Sequence, residues 1–152
     1  MFNRILIVLL ALLALAGCAP EYSNADPLPR AFEALEEWDN TVGVVRPGLT
    51  IAVREGSPNS DGKEFRQGEA KCEGATATIT LFRGTFEASE FDAEVRHVML
   101  HELVHAHKCQ FGAHSTDPAA LMYPEVNDEN LGASVSDADA TWIREAWIRS
   151  AE

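Results

Sequence analysis

His101, Glu102 and His105 stand together in the pentapeptide HELVH. Two histidines four residues apart on a helix project from one face about one turn apart, so both imidazoles can reach one metal ion. A catalytic zinc takes three protein ligands and keeps one position open for water. Glu102 flanks the histidine face, where its carboxylate could take a proton from metal-bound water and pass it to a leaving amine. The same five residues also fit a surface helix with coincidental histidines, so the surroundings of the motif carry the decision.

The helix that would present the motif is legible over 91–108. At about 100° per residue, Val95, Met99, Leu103 and Ala106 fall on one apolar face, and His101 and His105 on another. Two residues compete to be the third ligand. His114 follows Gly112, a residue able to turn the chain out of a helix. Glu125 stands twenty residues after His105, the separation at which thermolysin-like enzymes place a glutamate ligand. In those enzymes it sits on a helix, whereas Glu125 follows Tyr123 and Pro124 in a stretch that reads as irregular. His97, one turn before His101, reads as a half-exposed structural histidine or as a support for His101. His107 points away from the metal face and reads as a packing or surface residue.

HELVH, then Gly112 and His114 in GAHST, then DPAALMYP over 117–124, resembles the matrixin branch of the metzincin peptidases. The resemblance implies a compact α+β zincin domain and a zinc endopeptidase. It implies His101, His105 and His114 as ligands, Glu102 as the general base, and Met122 as the methionine of the turn that floors the metal site. The helix ending near Trp38, the ATITL strand and the helix start SVSDADATWI also have counterparts in that group. Tyr123 directly follows Met122, one position too early for the tyrosine ligand of astacin-like relatives, so that role is not carried over. The chain departs from the metzincin pattern HExxHxxGxxH in one place. Eight residues, AHKCQFGA, separate His105 from His114, where five are usual, and the glycine precedes His114 by two positions instead of three. Three added residues are nearly one helical turn, which would let the zinc helix run longer before the chain doubles back.

The elements around the motif follow from periodicity and capping. Asp26 and Pro27 suit a helix start, and Phe32, Leu35 and Trp38 recur at helical spacing, giving a helix over about 27–40. LTIAVRE alternates as a strand over about 49–54. ATATITLFRG alternates again over 75–83, with Ala77, Ile79 and Leu81 on one face. GSPNSDGKEFRQGEAKCEG between them reads as a long loop or irregular hairpin. Residues 112–135 read as irregular. Ser136 with Asp139 then opens a last helix to about 149, carrying Ile143, Ala146 and Trp147 inward. Trp38, Trp142 and Trp147 all suit helical core faces. The order of elements makes a small α+β domain. By analogy with matrixins, which lay extended substrate along a sheet edge, strand 75–83 is the candidate edge.

The N-terminus has a single charge at Arg4 and an apolar run from Ile5 to Ala16, the layout of a secretory signal. Leu15-Ala16-Gly17-Cys18 resembles a bacterial lipobox, cut before Cys18 and lipidated on its thiol; the plainer alternative is an ordinary signal. The expected organisation is therefore a signal over 1–17, a tether over 18–26 and one domain over 27–152, in the cell envelope and anchored to a membrane leaflet through Cys18. Ala19, where an aspartate would mark inner-membrane retention, leans the anchor toward the outer membrane. Twelve Lys and Arg against 24 Asp and Glu, a net charge of −12, argue against nucleic acid as a partner. Cys72 and Cys109 remain once Cys18 is set aside. In an oxidising compartment such a pair reads as a disulfide, worth roughly 3–4 kcal/mol for a loop of that length. A cysteine zinc ligand or two buried thiols are the alternatives. Two other functions stay open: a zinc-binding lipoprotein module without catalysis, and a zinc hydrolase of a non-protein amide such as cell-wall material.

Overall fold

A computed structural model describes residues 21–56, 66–109 and 114–151; the side chains of 147–151, Trp147 among them, lie outside that description, as do Cys18 and Gly112. Among the described residues six elements follow in chain order: α1 (Leu28–Val42), β1 (Leu49–Glu55), β2 (Gly68–Glu73), β3 (Thr76–Arg83), α2 (Phe91–Lys108) and α3 (Asp137–Ala151). The expected α+β class holds at this level.

The strands form one sheet in the order β1-β3-β2, with β1 parallel and β2 antiparallel to β3. This corrects two expectations. The polar stretch between the two alternating strands contains β2. It then folds back into β3 through a two-residue turn in which Gly74 takes φ +60°. Strand β3 is therefore central and cannot offer an edge; of its two neighbours, β2 is the one that lines the cleft described below. GEAKCE hides its strand character because only Ala70 of its six residues is buried, as suits an edge strand beside an open cleft.

Helix α1 starts where Asp26 Oδ1 accepts the Leu28 N–H and ends at Gly43, whose left-handed φ of +73° suits a residue without Cβ. Its buried face runs through Ala31, Ala34, Trp38 and Val42, while Phe32, expected inside, is 56% exposed. Alanines at 31 and 34 let α1 lie close against α2. From α3, Arg144 donates to the carbonyls of Thr41 and Val42, the last turn of α1. Ser136 opens α3 as expected, accepting the Asp139 N–H and donating to its carboxylate. On α3, Ile143 is fully buried, whereas Trp142 is partly exposed beneath Lys108.

Helix α2 is the axis of the core. Val95, Met99, Leu103 and Ala106 are all fully buried, as the helical face required, and almost every residue from Glu94 to His107 is covered by a neighbouring element. It stops at Lys108, three residues past His105, and gains no extra turn. Cys109 takes the left-handed position, φ +48°, that ends it. A non-glycine residue there is unfavourable by about 1–2 kcal/mol. Cys109 is held by its bond to Cys72 on β2, with the Cα atoms 5.9 Å apart.

Candidate metal centre

Consecutive turns of α2 deliver His101 and His105 side by side, and His114 closes on them from beyond the helix. His105 Nε2 lies 3.1 Å from His101 Nε2 and 3.2 Å from His114 Nε2. Three nitrogens each about 2.0–2.1 Å from one tetrahedral ion stand about 3.3 Å from one another, so the spacing fits a single shared cation. The protonation pattern agrees. His101 Nδ1 donates to the Leu121 carbonyl at 2.8 Å, which leaves its Nε2 bare. His105 Nε2 has two ring nitrogens at hydrogen-bond distance, and one proton cannot serve both well. These three histidines form a group that could hold a metal ion.

Burial sets their state. His101 and His105 are buried and His114 is exposed, so the group is closed on the core side and open to the cleft. Burial lowers the His101 pKa to about 4, helped by the neighbouring His105 and His114 and opposed by the Leu121 carbonyl. At neutral pH its lone pair is therefore available to a cation.

Glu102 points to the same cleft and is 8% exposed. Burial raises its pKa to about 7, with Arg66 pulling it down, Glu69 pushing it up and the Ala70 N–H stabilising the charged form. A carboxyl poised near neutrality can both accept and return a proton. Its position depends on Gly68 at the start of β2. A Cβ there would stand 2.5 Å from Val98 Cγ1 and 3.1 Å from Glu102 Cγ. Only a glycine lets the strand lie this close to the helix.

The segment after His114 is tied to the histidines by its own backbone. Ser115 N–H donates to the Met122 carbonyl at 2.7 Å, and the preceding carbonyl, of Leu121, is the one that orients His101. Met122 is buried and belongs to the core cluster. Glu125 is exposed, lines the cleft and stands outside the histidine group. His97 is fully buried, not half-exposed. Its Nδ1 donates to the Asn130 carbonyl at 2.9 Å, and its ring lies 6.3 Å from that of His101. His107 packs on Trp38 and accepts the Arg46 N–H, as its direction away from the metal face suggested.

Three supporting residues escaped the sequence reading. Gly68 is one. Asn130, fully buried, donates to the Glu125 carbonyl and accepts the Asn127 N–H, which shapes the loop below the cleft. Arg46 donates to the carbonyls of Ala106, Gly74 and Ala75, clamping the end of α2 to the β2–β3 turn beside the disulfide. The disulfide itself removes Cys72 and Cys109 from the list of metal ligands.

The cleft measures about 710 Å³ and runs between β2, α2 and the 123–126 segment, with the histidine group in its wall. No protein-family model matches the chain, and no curated protein or solved structure is significantly similar to it.

Proposed function

We propose that the chain is a zinc-dependent endopeptidase of matrixin-like design. The observation that carries this reading is the convergence of three histidine Nε2 atoms beside a buried glutamate in an open cleft. His101, His105 and His114 would hold the ion. When bound, zinc supplies a polarised carbonyl and an acidified water.

The rest is the work of the chain. The Leu121 carbonyl keeps His101 in the tautomer whose Nε2 is a ligand. Glu102 takes the proton of the attacking water and returns it to the departing nitrogen, a role that suits a carboxyl with its pKa near 7. The outer edge of β2, unpaired among the described residues, replaces β3 as the place where an extended peptide would pair, because Gly68, Glu69 and Ala70 line the cleft. Support for the metzincin resemblance comes from the turn before Tyr123, whose carbonyls bind both the His101 ring and the residue after His114.

A lipid on Cys18 would anchor the domain, and no helix among the described residues is long and apolar enough to cross a membrane. Replacing Cys18 by Ser should release the protein from the membrane fraction; retention there would sink the anchor. The catalytic reading is tested by peptide-library hydrolysis with zinc-loaded protein. Glu102→Ala should keep its zinc and lose roughly 10²–10⁴-fold in turnover. Turnover that survives the substitution excludes the mechanism, and zinc binding with no turnover in the parent chain leaves a binding module.

A further inference from the structure

Glu94 is a carboxylate taken almost wholly out of water, 8% exposed, on the turn of α2 two turns before His101. Its Oε2 is fixed by two donors, Gln67 Nε2 at 3.0 Å and the Glu87 N–H at 2.7 Å. Gln67 is fixed in turn by donating to the Thr85 carbonyl. Oε1 has no hydrogen-bond partner among the described residues. It is not sealed off, since among them only Arg83 Nε is a buried polar side-chain atom without one. Oε1 therefore keeps some exposure, on a residue that lines the cleft.

Among the described residues no lysine or arginine pairs with it. Besides histidines, the described lining holds one basic residue, Arg66, and that is committed to Glu69. Glu87 and Glu125, also in the lining, have no ion pair among the described residues. A buried carboxylate without a counter-charge is unfavourable, and burial raises the pKa of Glu94 accordingly. Seven residues of helix separate it from His101, roughly 10 Å of rise, within reach of a long substrate side chain whose backbone lies at the metal.

We infer that Glu94, seconded by Glu87, is a specificity determinant that selects a lysine or arginine side chain near the scissile bond. The pocket would take an ammonium or guanidinium group on Glu94 Oε1, with the alkyl stem against Val98. This rests on the endopeptidase reading and names its substrate class.

The test uses the zinc-loaded full chain and matched peptides differing only in Lys, Arg, norleucine or Glu at each position around the cleavage site. The parent protein should show a kcat/KM for Lys or Arg at one position roughly ten- to hundredfold above norleucine. Glu94→Gln, which keeps the shape and the Oε2 acceptor, should bring that ratio toward unity. Glu36→Gln, an exposed change of equal charge on α1, should leave it. Equal rates for cationic and neutral peptides in the parent protein overturn the proposal even if the variant does not fold. A second readout is independent of turnover: calorimetric binding of Nα-acetyl-arginine amide to Glu102→Ala. Binding there, lost on adding Glu94→Gln, sustains the subsite even if no peptide is cleaved, in which case the peptidase reading falls alone. Where no peptide is cleaved, absence of binding removes the subsite.

Discussion

Glu102 and His114 show what can and cannot be read from residue types. HELVH announces a pair of adjacent imidazoles because a helix fixes the relation between positions one and five, whatever the rest of the chain does. His114 lies beyond the helix, and only its closing distance of 3.2 Å to His105 separates it from Glu125. The expected outcome is that His114→Ala weakens zinc binding at least about tenfold, while Glu125→Ala leaves it near the parent value; competitive titration with a chromophoric chelator measures both. The reverse ranking would reassign the third ligand. Gly68, Glu94, Asn130 and Arg46 were illegible for a common reason. Each acquires its role from a contact across more than twenty residues of sequence or from the backbone it touches, and neither leaves a local pattern.

At the scale of elements, the alternating strands and the three helices were legible because burial imposes periods of 2 and 3.6 on their sequences. Strand β2 was not, since an edge strand beside a cleft has little to bury. Its absence from the sequence reading also misplaced the proposed substrate edge, which depends on the order β1-β3-β2. The close seating of β2 on α2 is therefore a feature only the structure supplies. Gly68→Ala should displace Val98 and Glu102, destabilise the fold by about 1–3 kcal/mol and lower kcat more than zinc affinity. Chemical denaturation, zinc titration and turnover measured on one preparation decide this; an unchanged kcat would mean that the helix and strand part without disturbing the base. The disulfide joins the same two elements across 37 residues of sequence. Replacing both cysteines by alanine should lower stability by roughly 3–4 kcal/mol on the chain-entropy model and loosen the approach of His114 to its partners. Zinc affinity unchanged in that variant would separate the bridge from the metal site.

Across the whole molecule, the buried histidines dictate how acid acts on the metal-free fold. His97, His101 and His107 all titrate below their ordinary 6.5, chiefly because burial disfavours the imidazolium. The unfolded chain thus takes up protons first as pH falls through 6.5. The folded state loses that stability progressively, down to about 4 for His101. Glu94 and Glu102 act in the opposite sense. Burial raises both above 4.5, so the stability they contribute is complete below that value and is lost as pH climbs, for Glu102 to about 7. The two sets oppose each other between pH 5 and pH 7, so calorimetry with a chelator present on Glu102→Gln, which removes one opposing group, should show the melting temperature rising over that range. A midpoint that falls over this range would mean that the histidines are not buried neutral. The acidic balance was plain from composition. Residues 21–23, expected within a tether, instead pair with 86–88 beside the cleft, a long-range match that no local pattern marks.

The central claim is a catalytic ion held by His101, His105 and His114 with one position open to water. X-ray absorption at the zinc edge of the loaded protein reads that shell directly. Three imidazole nitrogens and one oxygen, all near about 2.0–2.1 Å, are expected. Two imidazoles with a carboxylate, a sulfur ligand, or a chain that retains no zinc after dialysis would contradict it.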